Sequence, residues 1–113
     1  MTMGYYVVIN EAGPAWDDKR SMREQEGWPE HAEFMDSLEA KRLVVMGGPL
    51  KGYSKHRALL ILHAADELSL KNILAEDPWM QTGVLNNVGF YSWEIILGKQ
   101  LLQSNDPLET AKV

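Results

Sequence analysis

The stretch "LVVMGGPLKGYSKHRALLILHA" (residues 43–64) decides the fold. Two apolar, β-branched runs, 43–50 and 56–64, flank the glycine- and proline-containing segment 47–54. The first run predicts a strand leading into a glycine-rich turn, and the second predicts the strand that leaves it. Neither run alternates apolar with polar residues. Leu59 and Ile61 fall on one side of the second strand, with Leu60 and Leu62 on the other. In the first strand Leu43 and Val45 oppose Val44 and Met46. A sheet with one wet face should alternate, so both faces of this one require burial.

The chain reads the same way on either side of these paired strands. Upstream, "WPEHAEFMDSLEAKR" (28–42) predicts a helix, with Pro29 suited to a first helical position and Glu30 and Glu33 in the opening turns. Its apolar stripe is Phe34, Met35 and Leu38, and His31 completes the i, i+3, i+4, i+7 pattern. Before it, "GYYVVIN" (4–10) predicts the first strand, closed by the turn signal "EAGP". The charged segment between them, 15–27, is either a covering loop or an early, irregular helix, and its Trp16 and Met22 need something to pack against. Downstream, "DELSLKNILAE" (66–76) predicts a second helix capped by Asp66, with the stripe Leu70, Ile73 and Leu74. Asp77 is the next position on that stripe. "GFYSWEIIL" (89–97) predicts the fourth strand.

The order βαββαβ is ferredoxin-like: a four-stranded antiparallel sheet with both helices on one face. Two helices cover only one face. The simplest cover for the other is a second copy of the chain, giving a homodimer in which two sheets pack face to face. Residues 1–98 form the domain, and 99–113 a polar tail that is either mobile or docked on a neighbour.

Composition narrows the function classes. The 113 residues carry a net charge of −5, and 45% of them are hydrophobic, so a real core is expected and no basic stripe exists for nucleic acid. Without cysteine, disulfides, thiolate nucleophiles and Cys-based metal sites are excluded. No segment resembles a signal peptide or reaches the ~18–20 apolar residues of a membrane span, so a cytoplasmic location is the default expectation. Neither a phosphate-binding glycine loop nor a G-x-S-x-G nucleophile pattern is present.

Candidate chemistry follows from the direction of the chain. The start of the first helix, the end of the second and the turn between strands two and three all reach the same rim of the fold. His31, Asp77 and the Gly48–Pro49 turn therefore converge. Asp36, the nearer carboxylate, lies about 140° around the helix from His31 and faces away. Asp77 is the better partner, although it lies 46 residues later. A carboxylate beside an imidazole fixes its tautomer and stabilises the imidazolium, leaving the other nitrogen free as general base or acid. Asp77-Pro78 also has a purely structural reading, as N-cap and first residue of a short helix "PWMQ". Trp28 and Trp79 serve hydrophobic packing first, and as aromatic walls they also suit a small cyclic ligand. His56 and His63 fall on opposite faces of their strand, so no three-histidine metal site is expected. Glu94 and Asp36 are expected to face solvent.

The segments "HAEFMDSL", "VVMGGPL", "LAEDPWMQTGVL" and "YSWEIILG" together resemble the YciI-like proteins, also called the YCII-related domain, from the first strand to about residue 98. The resemblance implies a dimeric α+β barrel of ferredoxin-like protomers and a His–Asp dyad, carried here by His31 and Asp77. The Gly-Pro turn becomes Gly48–Pro49. One activity in that family is elimination of hydrogen chloride from a chlorinated ring compound, and the fold is shared with muconolactone isomerases. The chain departs from shorter members in "WDDKRSMREQEGWPE", which adds Trp16 and Trp28 near the rim.

The expected function is a small lyase or isomerase acting on a small cyclic or carboxylated organic molecule. His31 moves the proton and Asp77 orients it, while Gly48, Pro49, Trp79 and Trp28 shape the pocket. Such proton transfer needs no metal or organic cofactor. The alternative is a non-catalytic homodimer that binds a small molecule or serves as a module in a larger pathway.

Overall fold

The computed structural model describes residues 3–103. Strands β1 (Gly4–Ala12), β2 (Val44–Leu50), β3 (Arg57–Ala64) and β4 (Leu85–Trp93) form one sheet in the order β2-β3-β1-β4, every neighbouring pair antiparallel. Helices α1 (Trp28–Ala40) and α2 (Glu67–Leu74) complete the βαββαβ order, and the fold is ferredoxin-like α+β. Two short helices are added, α3 (Pro78–Thr82) between α2 and β4, and α4 (Lys99–Gln103) after β4. Residues 104–113 of the expected tail lie outside the described residues.

Both long helices bury their stripes on one sheet face. Tyr6 and Val8 of β1, Leu60, Leu62 and Ala64 of β3 and Val44 of β2 form a core with Leu38 of α1 and Leu70 of α2. Phe34, Met35, Ile73 and Leu74 pack against it. The opposite face carries Tyr5, Val7, Ile9, Leu59, Ile61 and His63, all half-buried, with Tyr91 and Trp93 exposed. Tyr5 stacks on its cross-strand partner His63 with ring centroids 4.3 Å apart.

The structure corrects three expectations. Gly48 and Pro49 do not form the turn: both belong to β2, paired with Leu59 and Ala58, and the turn follows at 51–56. What continues the strand is close backbone approach. A Cβ on Gly47 would lie 2.5 Å from Leu60 Cδ2 and 3.1 Å from the Leu59 carbonyl, so glycine lets the strands meet there. Secondly, Val44 and Met46 do not share a face. The register shifts between them, Val44 pairing with Leu62 and Met46 with Ile61, and Met46 is exposed. Thirdly, the last strand is Leu85–Trp93 and not 89–97. Gly83, at φ 82°, ends α3 in the left-handed conformation, and the chain enters the sheet at once opposite Ala12. Ile96 and Leu97, expected inside the strand, lie beyond it and are exposed.

The lead-in 15–27 is mainly a covering loop with one 3-10 turn, Met22–Glu24. Gln25, 3% exposed, folds it: its Oε1 accepts from the Asp17 amide, and its Nε2 donates to the carbonyls of Asp17 and Arg20. Trp16 and Met22 find their packing in a second cluster around Trp79, Val84 and Leu85, joined by Trp28 and Met80.

Candidate functional site

Asp77 is held from three directions. Its amide donates to the carbonyl of Leu74 at the end of α2, its carbonyl accepts from Met80, and its carboxylate accepts from the Trp79 amide at 2.9 Å, capping α3. The cap expected from Asp77-Pro78 is therefore present, and it fixes the carboxylate, which is 3% exposed. His31 is placed by Gly27, which at φ 81° starts α1, and by the helical bond from its own amide to the Gly27 carbonyl.

The two side chains meet. His31 Nδ1 lies 2.9 Å and 3.0 Å from the two carboxylate oxygens of Asp77. An ionised carboxylate can only accept, so in the neutral imidazole the proton sits on Nδ1 and Nε2 carries the lone pair. The ring lies flat on the indole of Trp79, with centroids 4.0 Å apart and planes within 9°. Trp79 is 1% exposed and is anchored by its indole N–H, which donates to the Glu26 carbonyl at 2.8 Å. Trp28 tilts against both rings, 5.8 Å from His31 and 5.6 Å from Trp79. Stacking and the carboxylate together leave the imidazole one orientation.

A cavity of about 370 Å³ opens beside the ring. His31, Trp28, Trp79, Gly48 and Pro49 all line it, together with Met22, Leu60 and Leu85. Asp77 does not line this cavity. It borders a second one, of about 310 Å³, between α2 and the sheet, and Met35 and Leu60 are common to both walls. The pair thus sits between two cavities, with the imidazole on one side and the carboxylate on the other. Asp36 and Glu94 are exposed, as expected, although Asp36 reaches the mouth of the larger cavity. Among the described residues no group of three or more His, Asp or Glu side chains has the arrangement of a metal site.

Two polar residues of these walls are not evident from the sequence patterns above. His56, just before β3, lines the larger cavity with His31 and stacks on Trp16 at 4.4 Å. Its Nε2 is buried without a partner among the described residues. Burial pushes its pKa below the ordinary histidine value, and the neighbouring His31 pushes it the same way. The signal for it was topological: the beginning of β3 lies at the rim where α1 starts. The other is Asn10, a polar residue at the buried phase of β1 after Tyr6 and Val8.

No family model and no curated protein sequence matches this chain. Among solved structures it is similar to 5-chloro-2-hydroxyhydroquinone dehydrochlorinase from Burkholderia phenoliruptrix AC1100, determined in complex with 2,5-dihydroxybenzoquinone. The TM-score is 0.54 and the identity 18%, over 89% of this chain and 99% of the other. At that identity the likeness establishes the shared fold.

Proposed function

We propose that the chain is a small lyase or isomerase that uses His31 and Asp77 for proton transfer on a small cyclic organic molecule. The observation that carries this reading is the His31 Nδ1–Asp77 contact, at 2.9 and 3.0 Å, beside a cavity lined by Trp28 and Trp79. With Nδ1 committed to the carboxylate, Nε2 is the nitrogen that takes a proton from the bound molecule. In an elimination, the electron pair left on the substrate forms the new double bond and the leaving group departs with its own pair. Asp77 then stabilises the imidazolium, and the proton is returned to solvent or product. The aromatic floor and walls suit a flat ring. The similar fold of a dehydrochlorinase, together with the residue pattern shared with YciI-like proteins, makes hydrogen chloride elimination the first reaction to test.

The same reading includes a homodimer. The apolar sheet face opposite the helices, with Tyr91 56% and Trp93 42% exposed, is the surface through which two copies would pack.

The test is chloride release from 5-chloro-2-hydroxyhydroquinone and from a panel of chlorinated hydroquinones and ring lactones, with wild type and His31→Gln. The expected result is turnover that falls by about 10²–10⁴-fold in the variant, the usual weight of a positioned general base. Full activity in His31→Gln would overturn the assignment of the base. Ligand binding without turnover by any panel member would favour the non-catalytic dimer.

A further inference from the structure

The smaller cavity lies on the Asp77 side of the His31–Asp77 pair, and its wall contains a polar group without a partner among the described residues. Asn10 is 5% exposed and lies on the helix-facing side of β1, where the register with β4 shifts between Ile9 and Asn10. Asn87 bridges that irregularity: the two hydrogens of its Nδ2 are shared among the carbonyls of Ile9 at 3.2 Å and Gly89 at 2.9 Å and Asn10 Oδ1 at 3.3 Å. Two carbonyl acceptors identify that Asn87 atom as the nitrogen. The Asn10 atom facing it must then be the oxygen, which fixes the orientation of the Asn10 amide. Its nitrogen, with two N–H donors, has no hydrogen-bond partner among the described residues. Unlike His56 Nε2, it is not sealed, and Asn10 lines the cavity.

The remaining wall is mostly apolar, with Val8, Leu60, Leu74, Met80 and Phe90 around about 310 Å³, a volume at the lower end of small-molecule sites. Asp77, Lys71 and Asn87 share the wall with Asn10, so an ordered water can satisfy the amide in the free protein, and a ligand oxygen that takes its place makes the same bond. Two charged side chains reach the cavity. Asp77 contributes a buried carboxylate, which disfavours an anion. Lys71 also lines the cavity, in an exposed pair with Glu67 at 3.0 Å and with its ammonium 4.9 Å from the Phe90 ring centroid. The donor of Asn10 therefore calls for an acceptor oxygen on an otherwise apolar, uncharged body.

We propose that this cavity is a binding site for a neutral ring compound carrying a carbonyl oxygen, such as a ring ketone or quinone, and that the Asn10 amide recognises that oxygen. The site shares Met35 and Leu60 with the cavity that His31 lines, but it does not include His31 and does not depend on the proton-transfer reading. Its occupant would rest against Asp77.

Acetophenone and ethylbenzene form the test pair: similar in size, with a carbonyl acceptor in one and no oxygen in the other. Titration into ¹⁵N-labelled protein is read at the Asn10 side-chain amide. Acetophenone is expected to shift that signal saturably, and ethylbenzene to bind at least tenfold more weakly. Asn10→Asp keeps the acceptor for Asn87 and removes the donor; with the Asn87 side-chain amide as the probe, it is expected to weaken acetophenone at least tenfold. Ala75→Trp, from the exposed end of α2 at the cavity wall, leaves Asn10 intact and is expected to block binding by filling the space. His31→Gln is expected to lose turnover and keep acetophenone binding, so the two readings fail separately. The proposal is overturned if acetophenone gives no saturable shift at Asn10. Equal binding of ethylbenzene, or unchanged affinity in both Asn10→Asp and Ala75→Trp, overturns it as well.

Discussion

Replacing Asp77 by alanine and by asparagine separates its two roles, because the two substitutions remove different atoms. In Asp77→Ala the Trp79 amide loses its cap, a loss of about 1 kcal/mol. The His31 Nδ1–H, on a side chain 13% exposed, also loses its acceptor, costing about 1–3 kcal/mol. Together these give roughly 2–4 kcal/mol, which for a domain of this size is a fall in Tm of roughly 10–20 °C. In Asp77→Asn the oxygen that caps Trp79 can stay, and asparagine ranks with aspartate at N-caps, so the loss should remain within about 1 kcal/mol. What changes is the second carboxylate oxygen, 3.0 Å from Nδ1, which becomes an NH₂ donor. A donor cannot face a donor. The retained oxygen still lies 2.9 Å from Nδ1, but the Trp79 amide already donates to it, so the imidazole favours moving its proton to Nε2 and accepting from the new amide.

The assays are urea unfolding for stability and ¹⁵N shifts of the His31 ring for the tautomer. Wild type should show neutral His31 protonated at Nδ1, and Asp77→Asn should show it protonated at Nε2 with nearly wild-type stability. Activity in Asp77→Asn should fall by about 10²–10⁴-fold, since the nitrogen that must accept a proton already holds one. Two results would refute the reasoning: equal destabilisation by asparagine and alanine, or a wild-type ring protonated at Nε2.

Three further outcomes are expected. Gly47→Ala should cost about 1–3 kcal/mol by overpacking against Leu60, whereas Gly48→Ala, whose Cβ would meet nothing within 4 Å, should be close to neutral in thermal unfolding. Trp79→Ala should lose about 3–5 kcal/mol, and Trp79→Phe only about 1 kcal/mol, since it keeps an aromatic face for His31 and loses the bond to Glu26. The pH dependence of Tm should carry a contribution from His56. Its folded pKa lies below the unfolded value, so the unfolded state binds more protons in that window. Stability is then full above the ordinary histidine range and is lost as pH falls through the folded value. His56→Phe, which keeps a ring against Trp16, should flatten that part of the curve, and an unchanged slope would count against a buried neutral His56.

How far the sequence could be read depends on whether a property is periodic or geometric. The helix stripes ending in His31 and Asp77 are periodic, and chain direction alone brought them to one rim, so the pair was legible before any contact was known. Gly48-Pro49 reads as a turn because glycine and proline usually signal one, yet both residues lie in β2. Here Gly47 serves an approach between strands whose cause, the Leu60 side chain, lies on another strand. The apolar run "FYSWEIIL" points to a later fourth strand than the one formed, because "LNNV" has weak strand propensity. Pairing with the end of β1 overrides that preference, since Asn86 and Asn87 face Glu11 and Asn10 across the ladder. The same pairing explains why Asn10 could not be identified as a site residue from sequence. Its alternation phase shows that it is buried, but only the partner strand shows that Asn87 takes its oxygen. Side chains placed by a helix phase can thus be found in one dimension, whereas those placed by a strand irregularity need the partner strand. In this fold the first kind built the His31–Asp77 pair, and the second kind shaped the cavity behind it.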